Sequence, residues 1–360
     1  MKKIILILLV LSELILLPAE GKYSLYKSNG KYGLIDNKRN VVLKAEFSEI
    51  KYNNVYLCKT RTNGNFVYDE NINLLHYFPA KMEKLIMVSP IYFYYTTGYA
   101  VDTKYCVYNI LNNKIYEVSN LIEGNTRNEP WIAARSCFYS KELEAQYDRY
   151  DCVYPYREKR AVILNYDREC EIINEKFETV LNGILASADY YSEGLLPIVF
   201  YKEGASFRNP EPGKSCYVDV NGNIVYECDF DFNYIWRDTI KQIQVPEIIG
   251  SFNEGIAVIQ KSDKSWIILD KNFQKHYLPK DCNVESHSYH NGLLLVSKTI
   301  DGQKKYGFID KECKAVIPFD YSYAESFDGL YAIVEKEGKE GIINTEANFY
   351  PSDKLKAILR

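Results

Sequence analysis

The sequence lacks most of the residues and motifs that mark catalysis or a bound metal. It contains no H-E-x-x-H, no G-x-S-x-G, no phosphate-binding Walker loop and no C-x-x-C, and only four of its 360 residues are histidines. His287 and His290 form one close pair, but residues three apart on a strand point to opposite faces. We therefore expect no catalytic residue, no cofactor and no metal site.

Charge runs and linkers are missing as well. The formal net charge is -4 at pH 7 and no basic run occurs. The sequence thus has no electrostatic footprint for nucleic acid, and we expect no nucleic-acid partner. No stretch rich in proline, glycine or serine marks a linker, so residues 22–360 are interpreted as one domain.

One apolar run is present, at the start of the chain. Lys2 and Lys3 precede a stretch that is interrupted only by Glu13, and Ala19 and Gly21 have the small side chains that a signal peptidase requires. At about 14 residues the stretch is shorter than the ~20 needed to span a bilayer. We interpret residues 1–21 as a signal peptide. The mature protein is then expected to be secreted, periplasmic or associated with the cell envelope, without a membrane span.

Tyrosine, in contrast, is abundant, with 33 residues, and a pattern repeats along the chain. In residues 290–324 an apolar run, a turn at Asp301-Gly302 and a second run that ends at Asp310 form a β-hairpin signature. A third run ends at Pro318, and alternating aromatic and polar residues follow it. One unit is therefore predicted to be four short antiparallel strands.

The Asp or Asn that ends the second strand marks each copy of the unit, because such side chains favour a corner. The copies recur at intervals of roughly 40 residues, which indicates a repeat architecture. The markers are Asp36, Asp69, Asn109, Asn165, Asp219, Asp270, Asp310 and Asn344.

These units resemble the WG repeat family, which is named for a Trp-Gly pair. The pair is represented here by Tyr32-Gly33 and Tyr306-Gly307 and, without the glycine, by Trp266. The resemblance covers most of residues 22–360 and implies no catalytic residue.

Four antiparallel strands in about 40 residues match a blade of a β-propeller. We therefore expect an all-β repeat protein, most simply a β-propeller of six to eight blades, and an open β-solenoid of stacked hairpins is the alternative. Two short peripheral segments, 141–149 and 352–359, have helical patterns.

Nine cysteines in a chain expected to be exported make disulfides a candidate feature. Cys216 and Cys228 would lie directly opposite each other in a hairpin with a three-residue loop, whereas a two-residue loop would separate them. Cys137 and Cys152 are the other pair with a short intervening segment. The remaining cysteines suit buried positions, where free thiols are common.

Trp131 and Trp236 fall outside the aromatic position of the repeat. Three of the spacings between markers are longer than one unit, and we interpret the extra residues as insertions. Trp131 lies in the insertion at residues 123–150 and Trp236 in the one at 236–250. The third insertion is at residues 202–214.

With four antiparallel strands in each unit, every connection between units returns to the same face of the ring. The first two insertions are therefore predicted on one rim and the third, which interrupts a hairpin within a unit, on the opposite face. We therefore predict Trp131 and Trp236 as partner-binding residues. The alternative is that these loops pack down and seal the rim.

Together these observations favour a non-catalytic binding or scaffolding module outside the cytoplasm, with a protein or a glycan as partner. Two alternatives stay open. One is a hydrolase that acts on a glycan or peptide through carboxylates at a channel mouth, and the other is a structural component of the cell envelope.

Overall fold

The computed structural model describes residues 21–80, 82–97, 104–118, 131–133, 137–140, 143–146, 150–165, 167, 169–188, 190–239 and 243–357. In these residues the structure is all-β apart from a 3-10 turn at Ser352–Lys354, so the predicted fold class is confirmed. In the segment 141–149, which has a helical pattern, Ala145–Gln146 is a strand, and residues 141, 142 and 147–149 lie outside the described residues. The second helical pattern yields the 3-10 turn and then another strand.

Consecutive strands form sheets that we number 1 to 9 along the chain, with sheets 5 and 6 sharing one strand. Sheets 1 to 3 comprise β1 (Ser24–Ser28), β2 (Lys31–Ile35) and β3 (Asn40–Phe47); β4 (Glu49–Tyr52), β5 (Tyr56–Lys59), β6 (Asn65–Tyr68) and β7 (Leu74–Phe78); and β8 (Glu83–Met87), β9 (Tyr92–Thr97), β10 (Lys104–Asn109) and β11 (Lys114–Val118). Sheets 4 to 6 comprise β12 (Ile132–Ala133), β13 (Phe138–Tyr139) and β14 (Ala145–Gln146); β15 (Tyr150–Val153), β16 (Ala161–Asn165), β17 (Cys170–Ile173) and the shared β18 (Thr179–Ser187); and β19 (Leu195–Tyr201), β20 (Pro212–Asp219) and β21 (Ile224–Glu227). A hairpin of β22 (Tyr234–Thr239) and β23 (Ile243–Ile248) follows. Sheets 7 to 9 comprise β24 (Phe252–Asn253), β25 (Ile256–Gln260), β26 (Trp266–Asp270) and β27 (Lys275–Tyr277); β28 (Asn283–Val284), β29 (Leu294–Ile300), β30 (Gln303–Ile309) and β31 (Ala315–Tyr321); and β32 (Tyr323–Ala324), β33 (Ala332–Lys336), β34 (Lys339–Ile343) and β35 (Phe349–Pro351).

The sheets close into a ring. A buried apolar cluster lies between each pair of consecutive sheets, and a further cluster joins sheet 9 to sheet 1. In that last cluster Tyr331 and Ile333 pack against Tyr26 and Ile35. The C-terminal strand β36 (Lys356–Ala357) pairs in parallel with β3. This arrangement is a β-propeller, whereas the ends of a solenoid would stay apart.

The predicted unit has the correct number of strands but the wrong starting point. Residues 319–323 were predicted to form the fourth strand of the unit. Residues 319–321 instead belong to β31, the last strand of sheet 8, and Tyr323 begins the first strand of sheet 9. The marker corner therefore follows the third strand of a sheet. At Asp219, one carboxylate oxygen accepts the backbone N–H of Asn221 (2.8 Å) and Asn223 (2.9 Å), and the other accepts the Asn223 side-chain amide (3.0 Å).

Two corners differ from the prediction. The corner of sheet 5 is at Asn174, whose side chain accepts the N–H of Lys176 and Glu178, and Asn165 instead closes the preceding hairpin. Residues 123–150, predicted as an insertion, contain the strands of sheet 4, where Ser140 takes the corner position and accepts the Glu144 N–H. Over the described residues the ring therefore has nine sheets, with β18 counted in two of them, whereas six to eight were predicted.

The glycine of the Tyr-Gly motif lies beneath a bend of the last strand. At Gly307 a Cβ atom would lie 2.8 Å from the Ile317 carbonyl oxygen and 3.1 Å from the Phe319 ring. The register of β30 with β31 shifts at this point, so three residues of β31 bulge over the glycine. Gly33 of the same motif, and Gly341, which follows a glutamate at the equivalent position of sheet 9, have neighbours at least as close, which explains the need for glycine at this position.

Candidate functional site

Trp131 is half-buried at a sheet interface. Its ring packs edge-on against Phe177, with the centroids 4.9 Å apart, in the cluster between sheets 4 and 5. Because Trp131 directly precedes β12, it belongs to a sheet and not to a rim insertion. The prediction of a rim shared with Trp236 rested on such an insertion and loses that basis, and a partner contact at Trp131 stays a prediction.

Trp236 lies on the hairpin β22–β23, which interrupts the first strand of sheet 7. Before the hairpin, the Asn233 N–H donates to the Gln260 carbonyl (2.8 Å), and after it β24 resumes the pairing with β25. The hairpin also reaches the first strand of sheet 6 through the bridge between Ser187 and Glu247. The side chain of Trp236 is 43% exposed and contacts the Tyr234 ring.

A cavity of about 310 Å³ lies at the base of this hairpin. Pro212 and Gly213 line it from one side, at the end of segment 202–214, and Asn233 and Tyr234 line it from the other. The end of segment 202–214 therefore lies beside the base of the hairpin that carries residues 236–250, whereas the prediction put the two segments on opposite faces. The difference arises because the hairpin β22–β23 leaves the first strand of sheet 7 partway along and does not lie in a connection between two strands.

Cys216 and Cys228 do not face each other. Cys216 pairs with Glu227, and the Cys228 N–H donates to the Ser215 carbonyl (2.8 Å). Cys216 points into the cluster between sheets 5 and 6, whereas Cys228 packs on the cluster between sheets 6 and 7. Both thiols are free. The predicted disulfide is not formed, because the hairpin register is one residue away from the one it requires.

A second cavity, of about 410 Å³, lies where sheets 1, 2 and 9 meet. Glu325 lines it, and the Glu325 carboxylate accepts hydrogen bonds from the hydroxyls of Tyr32 (2.9 Å) and Tyr323 (2.6 Å). The Lys27 ammonium is 3.7 Å from the same oxygen and covers both rings. Burial and the bond to Glu325 raise the pKa of Tyr32 to about 12, so this phenol is a neutral donor near pH 7. Leu25, Ser48, Glu49 and Ile50 complete the lining.

Sequence reasoning missed this cavity, because its residues come from units at opposite ends of the chain. The single local signal is Tyr32, which holds the aromatic position of the repeat.

The pKa shifts of the carboxyl and thiol groups in the described residues are not in the directions that catalysis requires. Every carboxyl group with a displaced pKa has it lowered; for Glu49, burial acts upward but the hydrogen bonds and charges of Lys59 and Lys51 outweigh it. Burial raises the pKa of the Cys170 and Cys313 thiols to about 12, which disfavours the reactive thiolate.

No group of three potential metal ligands is found among the residues that the structure describes. His287 stacks on Trp266 instead, with centroids 5.5 Å apart.

The family model described as "WG containing repeat" matches two segments, residues 32–54 and 306–339. Both matches start at the Tyr-Gly motif, and they confirm the resemblance to WG repeats. A comparison with curated proteins gives no match.

Several solved structures are similar to the chain at low sequence identity. A computationally designed protein, Ika8, is 10% identical, with 91% of this chain and 98% of that chain covered and a TM-score of 0.43. A eukaryotic initiation factor is 14% identical, with coverages of 91% and 94% and a TM-score of 0.43. BamB from Moraxella catarrhalis is 9% identical, with coverages of 84% and 86% and a TM-score of 0.37.

Across the residues that the structure describes, no helix is long and apolar enough to cross a membrane.

Proposed function

We propose that this chain of WG-containing repeats is an exported, non-catalytic module that binds or scaffolds a protein partner outside the cytoplasm. The observation that carries the proposal is the hairpin β22–β23. It holds two large apolar side chains in solvent, Ile235 at 54% and Trp236 at 43% exposure. Tryptophan is enriched at the energetic centres of protein interfaces, where its truncation typically costs at least about 2 kcal/mol of binding.

The position of the hairpin supports a binding role over a packing role. It leaves the first strand of sheet 7 and returns to it, so the pairing of that sheet does not depend on it. The bridge to Ser187 and the buried side chain of Ile248, which packs between sheets 6 and 7, hold the base of the hairpin. A protein partner is favoured over a glycan, because aliphatic Ile235 is the more exposed of the two and sugars stack mainly on aromatic rings.

The proposed location rests on residues 1–21. Their basic start, apolar run and small residues at the end are typical of a secretory signal. Mass spectrometry of the mature N-terminus tests this part. A chain that starts at Lys22 supports export, and an intact Met1 on cytoplasmic protein contradicts it.

The binding role is tested by affinity capture from envelope and secreted fractions with three purified proteins: the wild type, an Ile235→Ser plus Trp236→Ala variant, and a Tyr277→Ala control. Tyr277 lies on the outer strand of the same sheet and is 66% exposed, so its removal is a matched loss of exposed aromatic surface. We expect a partner that the wild type and the control retain and the double variant loses. Equal capture by all three proteins contradicts the proposal.

The hydrolase alternative has less support. A glycosidase needs a carboxylic acid with a raised pKa to protonate the leaving group, and each displaced carboxyl pKa among the described residues is lowered. A glycosidase and peptidase screen on purified protein tests it directly.

A further inference from the structure

No residue that the structure describes forms the first strand of sheet 1. In sheets 8 and 9 the strand that pairs with the motif glycine is the second strand, because Val296 pairs with Gly307 and Val334 with Gly341. β28 and β32 flank these strands on the other side. In sheet 1 the equivalent strand is β1, in which Tyr26 pairs with Gly33. β1 is itself the edge of its sheet, whose order is β1-β2-β3-β36.

The second cavity lies where the absent strand would run. It is bounded on one side by Glu49 and Ile50, in the first strand of sheet 2, and on the other by Glu325, which directly follows the first strand of sheet 9. Leu25 of β1 forms part of its wall. The cavity therefore occupies the place between two first strands that a first strand of sheet 1 would fill.

Sheet 9 shows which backbone groups such a strand engages. There the Glu325 N–H donates to the Ile333 carbonyl and the Ser322 N–H to the Glu335 carbonyl, both at 2.9 Å. Counting from the paired glycines, Ile333 and Glu335 correspond to Leu25 and Lys27 of β1. The same two residues of β1 therefore turn their backbone groups toward the cavity.

Side chains of sheet 9 and the turn after it cover part of this edge. The Asp328 carboxylate accepts the Leu25 N–H (3.0 Å), and the Ser352 hydroxyl donates to the Lys27 carbonyl (2.5 Å). Polar side chains at an open edge prevent indiscriminate strand pairing. The Lys27 carbonyl is one of the two acceptors that an added strand would use, so the strand has to share it with the Ser352 hydroxyl or displace that hydroxyl.

We propose that the open edge of β1 is a docking site for an extended peptide segment of a protein partner, which adds antiparallel to β1 as the first strand of sheet 1. Strand addition of this kind takes its affinity from backbone hydrogen bonds and its specificity from side-chain pockets. The segment that fits has a small apolar residue at its centre, since buried Ala324 holds that position in sheet 9. This site is separate from the hairpin that carries Trp236, so either can be correct without the other.

The probe is a labelled synthetic peptide with the sequence of residues 320–327, DYSYAESF, which contains the first strand of sheet 9 and the residues on either side of it. Its binding to the purified chain that starts at Lys22 is followed by fluorescence anisotropy. We expect saturable binding of one peptide per chain. A Glu325→Pro peptide should bind at least tenfold more weakly, because it lacks the N–H that Ile333 accepts in sheet 9. A Glu325→Gln peptide, which keeps that N–H and loses the charge, is the matched control.

A protein variant supplies the second arm. Residues 320–328 are fused in front of Gly21 so that the chain fills its own slot, and a glycine-serine extension of equal length is the control. We expect the fused strand to weaken peptide binding at least tenfold and the control extension to leave it unchanged, while circular dichroism confirms that both fold. The Trp236→Ala variant should bind the peptide as the wild type does.

Three results would overturn the proposal. The first is an absence of saturable binding. The second is binding that the proline peptide and the fused strand leave unchanged, which would place the peptide elsewhere. The third is binding by the chain that starts at Lys22 but not by the chain that retains residues 1–21, which would assign the slot to the leading segment of this protein and not to a partner.

Discussion

The Glu254 carboxylate accepts hydrogen bonds from the backbone N–H groups of Asn291 (2.8 Å) and Gly292 (2.7 Å), which lie in the tight turn of the next sheet. Gly255 in turn bonds to Glu193 of the preceding sheet, at 3.1 Å. Both turn residues of sheet 7 have positive φ, 53° at Glu254 and 78° at Gly255. The acidic residue of the Glu-Gly pair therefore joins neighbouring sheets, and the glycine supplies the left-handed backbone of the turn.

Replacing Glu254 tests this link. We expect Glu254→Ala to lower the free energy of unfolding by about 1–3 kcal/mol, because hydrogen bonds to a charged acceptor are lost. Glu254→Gln keeps an acceptor and should lose about half as much. Urea unfolding measures both. If both variants unfold with the wild type, the link does not contribute to stability.

The motif glycine can be tested at Gly307. We expect Gly307→Ala to destabilise the protein by about 1–3 kcal/mol, since the new methyl group overpacks the bent strand above it. Gly302 is the control: its φ is 74° and a Cβ there meets nothing within 4 Å, so Gly302→Asn should cost much less because asparagine tolerates this conformation. Thermal unfolding compares the two. A cost at Gly302 that matches the cost at Gly307 would contradict the packing explanation.

We expect Trp131 to contribute to stability and Trp236 to partner binding. Trp131→Ala is expected to lower stability by about 2 kcal/mol, below the 3–5 kcal/mol of a fully buried ring, because it removes half-buried packing on Phe177. Trp236→Ala should change stability by less than about 1 kcal/mol and should reduce partner capture. Denaturant unfolding and affinity capture on the same two variants check this. Equal stability of the two would show that Trp131 is not part of the interface between sheets 4 and 5.

Stability should fall as the pH drops below about 6.5 because of two histidines. Burial lowers the pKa of His287 and of His76 from the usual 6.5. The unfolded chain therefore takes up protons first as the pH drops, so the stabilisation is complete above about pH 6.5 and is lost toward the folded-state pKa values. We expect the His76→Phe plus His287→Phe variant to have a shallower pH dependence in urea unfolding, with each single variant intermediate. An unchanged slope in the double variant would exclude these histidines as the cause.

Local contacts account for most of what the sequence predicts correctly. The corner at Asp219 is fixed by bonds to residues two and four positions further along, so the residue type alone signals it. Gly307 is recognisable for the same reason, since a strand bend occurs in the same unit. These local signals suffice to identify the repeat, the strands and the fold class.

Contacts that depend on register or on distant units were not predictable in the same way. Asn165 and Asn174 both head short polar turns, and only the pairing of β17 with β18 shows which of them ends the third strand. Sheet 4 has strands of two residues, too short for any alternation. The second cavity joins Leu25, Glu49 and Glu325, and no local pattern relates these three.

The seam between sheets 9 and 1 has a consequence for the order of folding. The bond from Leu25 to Asp328 closes a loop of 303 residues, whereas the bond from Gly292 to Glu254 spans 38. The chain entropy lost on closure grows with the logarithm of loop length, so the seam costs about 2 kcal/mol more to close than a neighbouring interface. We therefore expect sheets 2 to 8 to assemble progressively as an open arc, and the seam to form last and to separate first when the termini are pulled apart.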